Sequence, residues 1–198
     1  MASLTRAELL RHGGGSAAIV LGGSALSFVP SARADTPSDG DLAYARLLVA
    51  AELLAIDFYR RALASKQFRP GTTVELRRSL ADERKHYRAV AAMLRAAGQT
   101  AATAADIDFV YPRRAFAASA STAALGARLE SLFLGAYLGA VAGFEADALK
   151  LTAARVAASE AQHLSVFTGA ASGQRIGPAF PRALTIDRAS AGLDAFTA

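Results

Sequence analysis

Two stretches of the chain carry the same arrangement of glutamates and histidines. In each stretch a glutamate precedes a Glu-x-x-His sequence by about thirty residues. The first set is Glu52, Glu83 and His86, and the second is Glu130, Glu160 and His163. The chain has three histidines, and two of them fall in this pattern. A repeated signature of this kind indicates an internal duplication, and it predicts two similar units that face one another.

Apolar residues recur at helical spacing in four segments of the chain. We predict helices over residues 41–65, 72–97, 122–141 and 146–171, with a capping box of Thr72 and Glu75 opening the second. Arg69-Pro70-Gly71 separates the first two helices, and residues 98–121 form a long connection. Short loops within each pair and a long connection between the pairs are typical of a bundle with a single crossover. The predicted fold is therefore an all-α four-helix bundle of two antiparallel hairpins.

The six repeated side chains are expected to meet in one layer of this bundle. Within each hairpin the glutamate and the Glu-x-x-His pair lie at similar distances from the turn, and a helix rises ~1.5 Å per residue. Glu and His at i and i+3 also share a helical face. Four carboxylates buried together repel one another and lose their hydration, which costs several kcal/mol each unless cations neutralise them. Two divalent ions would do so, and an oxygen-rich set with one imidazole per ion favours iron or manganese.

Other interpretations of these residues stay open at this point. A single Glu-x-x-His is common on solvated helices, and Glu83 is flanked by charged residues at 82, 84 and 85, so a surface ion pair is an alternative for it. Glu130 is the only acidic residue between Asp108 and Glu145, which favours a ligand over a solvated face.

Three tyrosines accompany the pattern. Tyr59 and Tyr137 each follow the first glutamate of their unit by seven residues, and Tyr87 directly follows His86. They are expected either to be core residues whose hydroxyls find a partner or to contact the metal ligands. No catalytic residue is assigned beyond the ligands.

The order Glu, Glu-x-x-His, Glu, Glu-x-x-His resembles that of the ferritin-like di-iron and di-manganese carboxylate proteins. The resemblance covers about residues 41–171. Within that superfamily the chain looks most like the secreted ferritin-like domain proteins, which include plant desiccation-related proteins, in its Leu138-Gly139-Ala140 step and its alanine-rich approach to Glu160. The resemblance implies a dinuclear iron or manganese centre held by the six residues named above.

Three functions are compatible with the sequence pattern. The first is an oxidoreductase with dioxygen or peroxide as its partner, which would be ferroxidase, peroxidase or catalase-like. The second is a non-catalytic stress or desiccation-related protein in which metal is sequestered or stabilises the bundle. The third is a helical interaction module without metal. Iron storage in a cage is disfavoured because the long connection and the tail differ from those of cage ferritins.

Residues 1–34 have the features of an export signal. Arg6 and Arg11 provide a basic start, residues 16–29 are apolar, and Ala32-Arg33-Ala34 offers a cleavage site. Ala7 stands where a twin-arginine signal has its second arginine, so the export route stays open, and an uncleaved anchor is the alternative to cleavage. The expected location is periplasmic, cell-surface or extracellular, without a stable membrane anchor after cleavage.

Composition limits how the domain can be stabilised and what it can bind. The chain has no cysteine, so an exported domain must depend on its core or on metal for stability. A net charge of +5 from dispersed arginines argues against nucleic-acid binding. We expect the bundle to occupy residues 35–172, and residues 173–198 to be a tail that packs on it without a strong helix of its own. The apolar surface of the third helix, residues 132–144, is a candidate for a homodimer contact.

Overall fold

The computed structural model describes residues 37–197. Within this part of the chain there are four long helices, one short helix and an isolated antiparallel bridge between Phe109 and Thr197. The helices are α1 (Asp39–Ala64), α2 (Pro70–Ala96), α3 (Ser119–Gly143), α4 (Asp147–Ser172) and α5 (Ile186–Asp194). The predicted all-α four-helix bundle is confirmed. The predicted export signal over residues 1–34 lies outside the described residues and stays a prediction.

The four long helices pack as two hairpins, α1 with α2 and α3 with α4. Each helix also contacts one helix of the other hairpin: α1 packs on α3, and α2 packs on α4. Residues 97–118 connect the hairpins, as the long predicted connection required. The side chains predicted to point inward from α1, including Leu48, Ala55 and Tyr59, are at most 1% exposed. The bundle interior therefore lies where the sequence periodicity placed it.

The helix ends follow from local chemistry. Ser38 and Asp41 form a reciprocal capping box at the start of α1, which satisfies two backbone N–H groups. At the other end of the bundle α4 stops at Gly173, whose left-handed backbone (φ 79°) suits glycine.

The predicted capping box at the start of the second helix is wrong. Helix α2 begins two residues earlier, at Pro70, and Arg69 precedes it without a side-chain cap. Proline has no N–H to satisfy and its φ is preset for a helix, so it opens the first turn without a capping side chain. Thr73 donates its hydroxyl back to the Arg69 carbonyl over 3.0 Å instead.

The tail also differs from expectation, because it contains a helix. Thr185 caps α5 by accepting a hydrogen bond from the Arg188 N–H. Helix α5 contacts α1 and α3, and Ala189 and Leu193 are buried there. A helix of nine residues has little stability alone, so this packing rather than propensity supports it.

Glycines on α3 form the seat for the tail. The Leu184 N–H donates to the Gly135 carbonyl over 2.9 Å. A Cβ atom built on Gly139 would lie 1.8 Å from the Leu184 carbonyl oxygen, so only glycine leaves room for the tail backbone. Part of the α3 surface that was a candidate dimer contact is thus covered by the chain itself.

Helix α3 is long and apolar enough to cross a membrane by length and composition alone. Its most apolar window is 61% buried inside the bundle, as expected for the core helix of a globular domain. Burial against α1, α4 and α5 therefore accounts for most of its apolar character.

Candidate metal centre

All six residues of the duplicated pattern converge inside the bundle. Glu52 is 2% exposed, and the other three glutamates are fully buried. His163 is 4% exposed, and the His86 side chain is 12% exposed. Each of the four long helices contributes one glutamate, while α2 and α4 add the histidines. The layer is therefore closed to bulk water except beside His86.

The six side chains form two groups that overlap. Glu52, Glu83, His86 and Glu160 offer four donor atoms that all lie within 4.8 Å of one another. Glu83, Glu130, Glu160 and His163 do the same. Glu83 and Glu160 belong to both groups, so the cluster has two adjacent positions that share two carboxylates.

Contacts between the histidines and the shared glutamates define the centre of the cluster. His86 Nδ1 lies 3.2 Å from Glu83 Oε2 and 3.0 Å from Glu160 Oε1. His163 Nδ1 lies 2.8 Å from Glu83 Oε1 and 3.4 Å from Glu160 Oε2. The two imidazole rings are 5.9 Å apart between centroids. Each imidazole thus faces one oxygen of each shared carboxylate.

Two tyrosines connect the hairpins through the remaining glutamates. The Tyr59 hydroxyl on α1 donates to Glu130 Oε1 on α3 over 2.6 Å. The Tyr137 hydroxyl on α3 donates in turn to Glu52 Oε1 on α1. One oxygen of each of these glutamates is therefore fixed, and the other is left for a different partner.

The cluster is electrostatically uneven. Burial raises the pKa of Glu52 well above its usual value, and the neighbouring charges of Glu83 and Glu160 raise it further. Burial and the charges of Glu160 and Glu83 do the same to the pKa of Glu130. These two carboxyl groups therefore tend to keep a proton when no cation is near.

The pKa values of Glu160, His86 and His163 are shifted in the direction opposite to the effect of burial. Burial acts to raise the pKa of Glu160, but the close approach and positive charge of His163 and His86 outweigh it and lower the pKa to about 2. Burial acts to lower the pKa of each imidazole, and Glu160 and Glu83 reverse this. The pKa of His86 rises to about 9 and that of His163 to about 11. The cluster thus balances its charge with protons.

Several buried polar atoms have no hydrogen-bond partner among the described residues. They are Glu52 Oε2, Glu83 Oε1, Glu130 Oε2, both Glu160 oxygens and His163 Nδ1. His163 Nδ1 is close to Glu83 Oε1 but is not aligned for a hydrogen bond. A native fold seldom leaves so many buried polar atoms unpaired in one place. All of them are metal-ligating atom types, so the residues fit a bound metal.

The site agrees with the predicted convergence in most respects. The surface ion pair considered for Glu83 does not form, because Glu83 is buried and Lys85 pairs with Asp82 over 2.6 Å. Tyr59 and Tyr137 contact the glutamates. The Tyr87 hydroxyl instead donates to the Ala102 carbonyl in the long connection, over 2.9 Å. The metal-ligand role of the six residues stays a prediction.

One residue near the cluster was missed from the sequence. Ser79 is 4% exposed and lies one turn before Glu83 on α2. Burial and the charges of Glu130 and Glu83 raise the pKa of Tyr59 well above its usual value, and the Ser79 hydroxyl opposes them by lowering that pKa. A serine four residues before a buried glutamate was the available signal, but serine is too common on helices for that spacing to stand out.

The family assignment rests on a comparison with known protein families. The family model of the ferritin-like domain matches residues 40–172, which is more than half of the chain and includes all six clustered residues. A comparison with curated proteins finds no match. The more specific resemblance to secreted and desiccation-related proteins stays a prediction. With its helical hairpins and its buried glutamate–histidine cluster, which could bind metal, the chain belongs to the ferritin-like domain family.

Proposed function

We propose that this protein holds two divalent metal ions, iron or manganese, and uses them to reduce dioxygen or peroxide. The observation that carries the proposal is the sharing of Glu83 and Glu160 between two four-donor groups. Two adjacent positions with two common carboxylates fit a pair of ions better than a single ion. The oxygen-rich donor set, with one imidazole in each group, suits iron or manganese more than zinc or copper.

Charge supports two cations rather than one. Four ionised glutamates bring a charge of −4 into an interior that is closed to water, and leaving it uncompensated would be strongly destabilising. Two divalent ions cancel that charge and give the unpaired oxygens and His163 Nδ1 their partners. Iron or manganese would supply the redox change and an open coordination position for the oxidant.

The role of the protein in this chemistry is to hold the metal ions and to orient the side chains that bind them. Tyr59 and Tyr137 fix one oxygen of Glu130 and of Glu52, which leaves the second oxygen of each directed to the cluster. Buried aromatic and aliphatic side chains on both sides of the layer exclude water. The His86 side chain is the most exposed of the six, so solvent comes closest to the cluster beside it.

The proposal is tested by loading the metal-free protein with Fe(II) without oxygen and then adding dioxygen or peroxide. We expect each chain to bind two Fe(II) ions and the bound iron to be oxidised rapidly, as monitored by the change in absorbance. In Glu130→Gln, which removes one negative ligand with little change of shape, binding should fall to at most one ion. Glu145→Gln is the matched control, because Glu145 is exposed in the α3–α4 loop.

The same experiment separates the alternatives. Tight binding of two ions that stay reduced in the presence of both oxidants, with a large rise in melting temperature, would favour a non-catalytic metal-stabilised protein. No binding, with a melting temperature that chelators leave unchanged, would contradict metal function altogether.

A further inference from the structure

A series of contacting aromatic rings leads from the glutamate–histidine cluster to a partly exposed tyrosine, Tyr111. Tyr59, which is bonded to Glu130, contacts Phe58 with ring centroids 6.0 Å apart. Phe58 contacts Tyr111, in the long connection, at 6.3 Å. A parallel series of contacts passes from Phe58 to Phe116 at 5.7 Å and from Phe116 to Tyr111 at 5.1 Å. One fully buried ring therefore separates the two tyrosines.

Tyr111 has the environment of a phenol that can lose an electron together with a proton. Its hydroxyl donates to Asp57 Oδ2 over 2.9 Å. Tyr59 has the same arrangement with Glu130, so each tyrosine has a carboxylate as proton acceptor. Burial and the charge of Asp57 raise the pKa of Tyr111, so the phenol is neutral at physiological pH and its oxidation must release a proton.

A surface cavity adjoins Tyr111. It has a volume of about 370 Å³, and its lining includes Tyr111, Phe116, Arg61 and Arg114. The Arg61 guanidinium also lies over the Tyr111 ring, 5.2 Å from the centroid. Arg114 adopts a left-handed backbone (φ 67°), which is uncommon for a residue other than glycine. Arg61 is also paired with Asp57 over 2.7 Å, so the positive charge available to a ligand in this cavity is that of Arg114. An aromatic wall beside an arginine suits a small, planar, negatively charged molecule.

We propose that Tyr111 is the surface end of an electron relay that serves the metal centre, and that an anionic phenol or enediol binds beside it as the electron donor. This rests on the proposed redox function and names its organic substrate class. With metal bound, Tyr59 would be placed to pass one electron to the oxidised centre, and its proton would stay within its hydrogen bond to Glu130. Tyr111 then gives one electron to Tyr59, which recovers its proton, while the Tyr111 proton passes to Asp57.

The bound donor closes the cycle by returning one electron to Tyr111, which recovers its proton from Asp57, and the donor releases its own proton to solvent. Reduction of one peroxide to two water molecules takes two electrons and two protons. The relay therefore operates twice per peroxide, two donor molecules each lose one electron and one proton, and the peroxide takes its two protons from solvent. Phenylalanine is too hard to oxidise to act as a station, and Phe58 serves as the contact between the tyrosines.

The relay is tested on the full chain loaded with Fe(II), by adding peroxide with a radical-trapping reagent and mapping adducts by mass spectrometry. We expect an iron-dependent adduct on Tyr111 that is lost in Tyr111→Phe and reduced in Asp57→Asn. Tyr44→Phe is the control, since Tyr44 is also partly exposed but packs on Phe144 instead. Freeze-quenched electron paramagnetic resonance with ring-deuterated tyrosine should show a tyrosyl signal with the same dependence.

Donor kinetics provide the second readout. Arg114→Gln should raise the KM for a carboxylate-bearing phenol several-fold and leave the KM for an uncharged phenol unchanged. Iron oxidation without a Tyr111 adduct, or donor oxidation by Tyr111→Phe at the wild-type rate with equal iron content, would overturn the relay alone. If the wild-type iron is not oxidised at all, the proposed function fails and the relay fails with it.

Discussion

Tyr59 on α1 and Glu130 on α3 are joined by a buried hydrogen bond of 2.6 Å between the two hairpins. The Tyr137 hydroxyl returns the same interaction to Glu52. The bundle is thus closed around its acidic layer by tyrosines of the opposite hairpin. The glutamate–histidine cluster and the packing of the two hairpins are therefore energetically coupled.

Tyr59→Phe should lower the stability of the metal-loaded protein. The substitution keeps the ring in place and leaves one buried Glu130 oxygen without a donor, which costs about 1–3 kcal/mol. Thermal unfolding of the loaded protein measures the change, with Tyr44→Phe as the control. A melting temperature equal to that of the wild type would show that the hydrogen bond does not support the fold.

Glu130→Gln should stabilise the metal-free protein while weakening metal binding. The amide removes one of four carboxyl groups that repel one another, and we expect a gain of about 0.5–2 kcal/mol, typical when a functional residue held at a cost is replaced. Chemical denaturation after chelator treatment measures the gain. A loss of stability in the metal-free state would contradict the charge balance described for the cluster.

The metal-free protein should lose stability as the pH rises above neutral. The folded-state pKa of His86 is about 9 and that of His163 about 11, both above the usual histidine pKa of 6.5. A raised pKa stabilises the fold below pH 6.5, and this contribution is lost as the pH rises through 9 and towards 11.

The melting temperature of chelator-treated protein, measured between pH 6 and 10, should therefore fall in the alkaline half of this range. The melting temperature of the metal-loaded protein should stay constant at the same pH values. Metal binding should also release protons into a weakly buffered solution, because the ions displace them from the cluster. A decline of equal size in the loaded protein would place its cause outside the cluster.

Gly139→Ala should disrupt the seat of the tail on α3. The added methyl group would meet the Leu184 carbonyl oxygen, and forced overpacking of this kind costs about 1–3 kcal/mol. Limited proteolysis should cut residues 173–185 faster than in the wild type. Gly71→Ala is the matched control, since a Cβ atom on Gly71 has no neighbour within 4 Å.

The sequence was most informative where its signals agreed. The duplicated spacing, helical periodicity and breakers at Pro70 and Gly98 all pointed to the same hairpins, and burial of Glu83 and Glu130 follows from them. The start of α2 was misplaced because the sequence offers two helix starts, a capping box of Thr72 and Glu75 and a proline at position 70. In the structure the helix begins at the proline.

Helix α5 and the Tyr111 cavity were not predictable in this way. Both depend on contacts between segments far apart in the chain, such as Leu184 with Gly135 and Tyr111 with Asp57. A nine-residue helix gives too little periodicity to stand out, and a hydrogen bond across 54 positions leaves no local pattern. The residues could be read from the sequence, but their pairing could not.

We propose that Glu83 and Glu160 hold two metal ions between them. A crystal structure of the protein loaded with iron or manganese, with anomalous scattering data collected at the absorption edge of the metal, would test this directly. We expect two anomalous peaks within the layer, one beside His86 and one beside His163, with both shared glutamates in contact with each. A single peak, or peaks only on the protein surface, would contradict it.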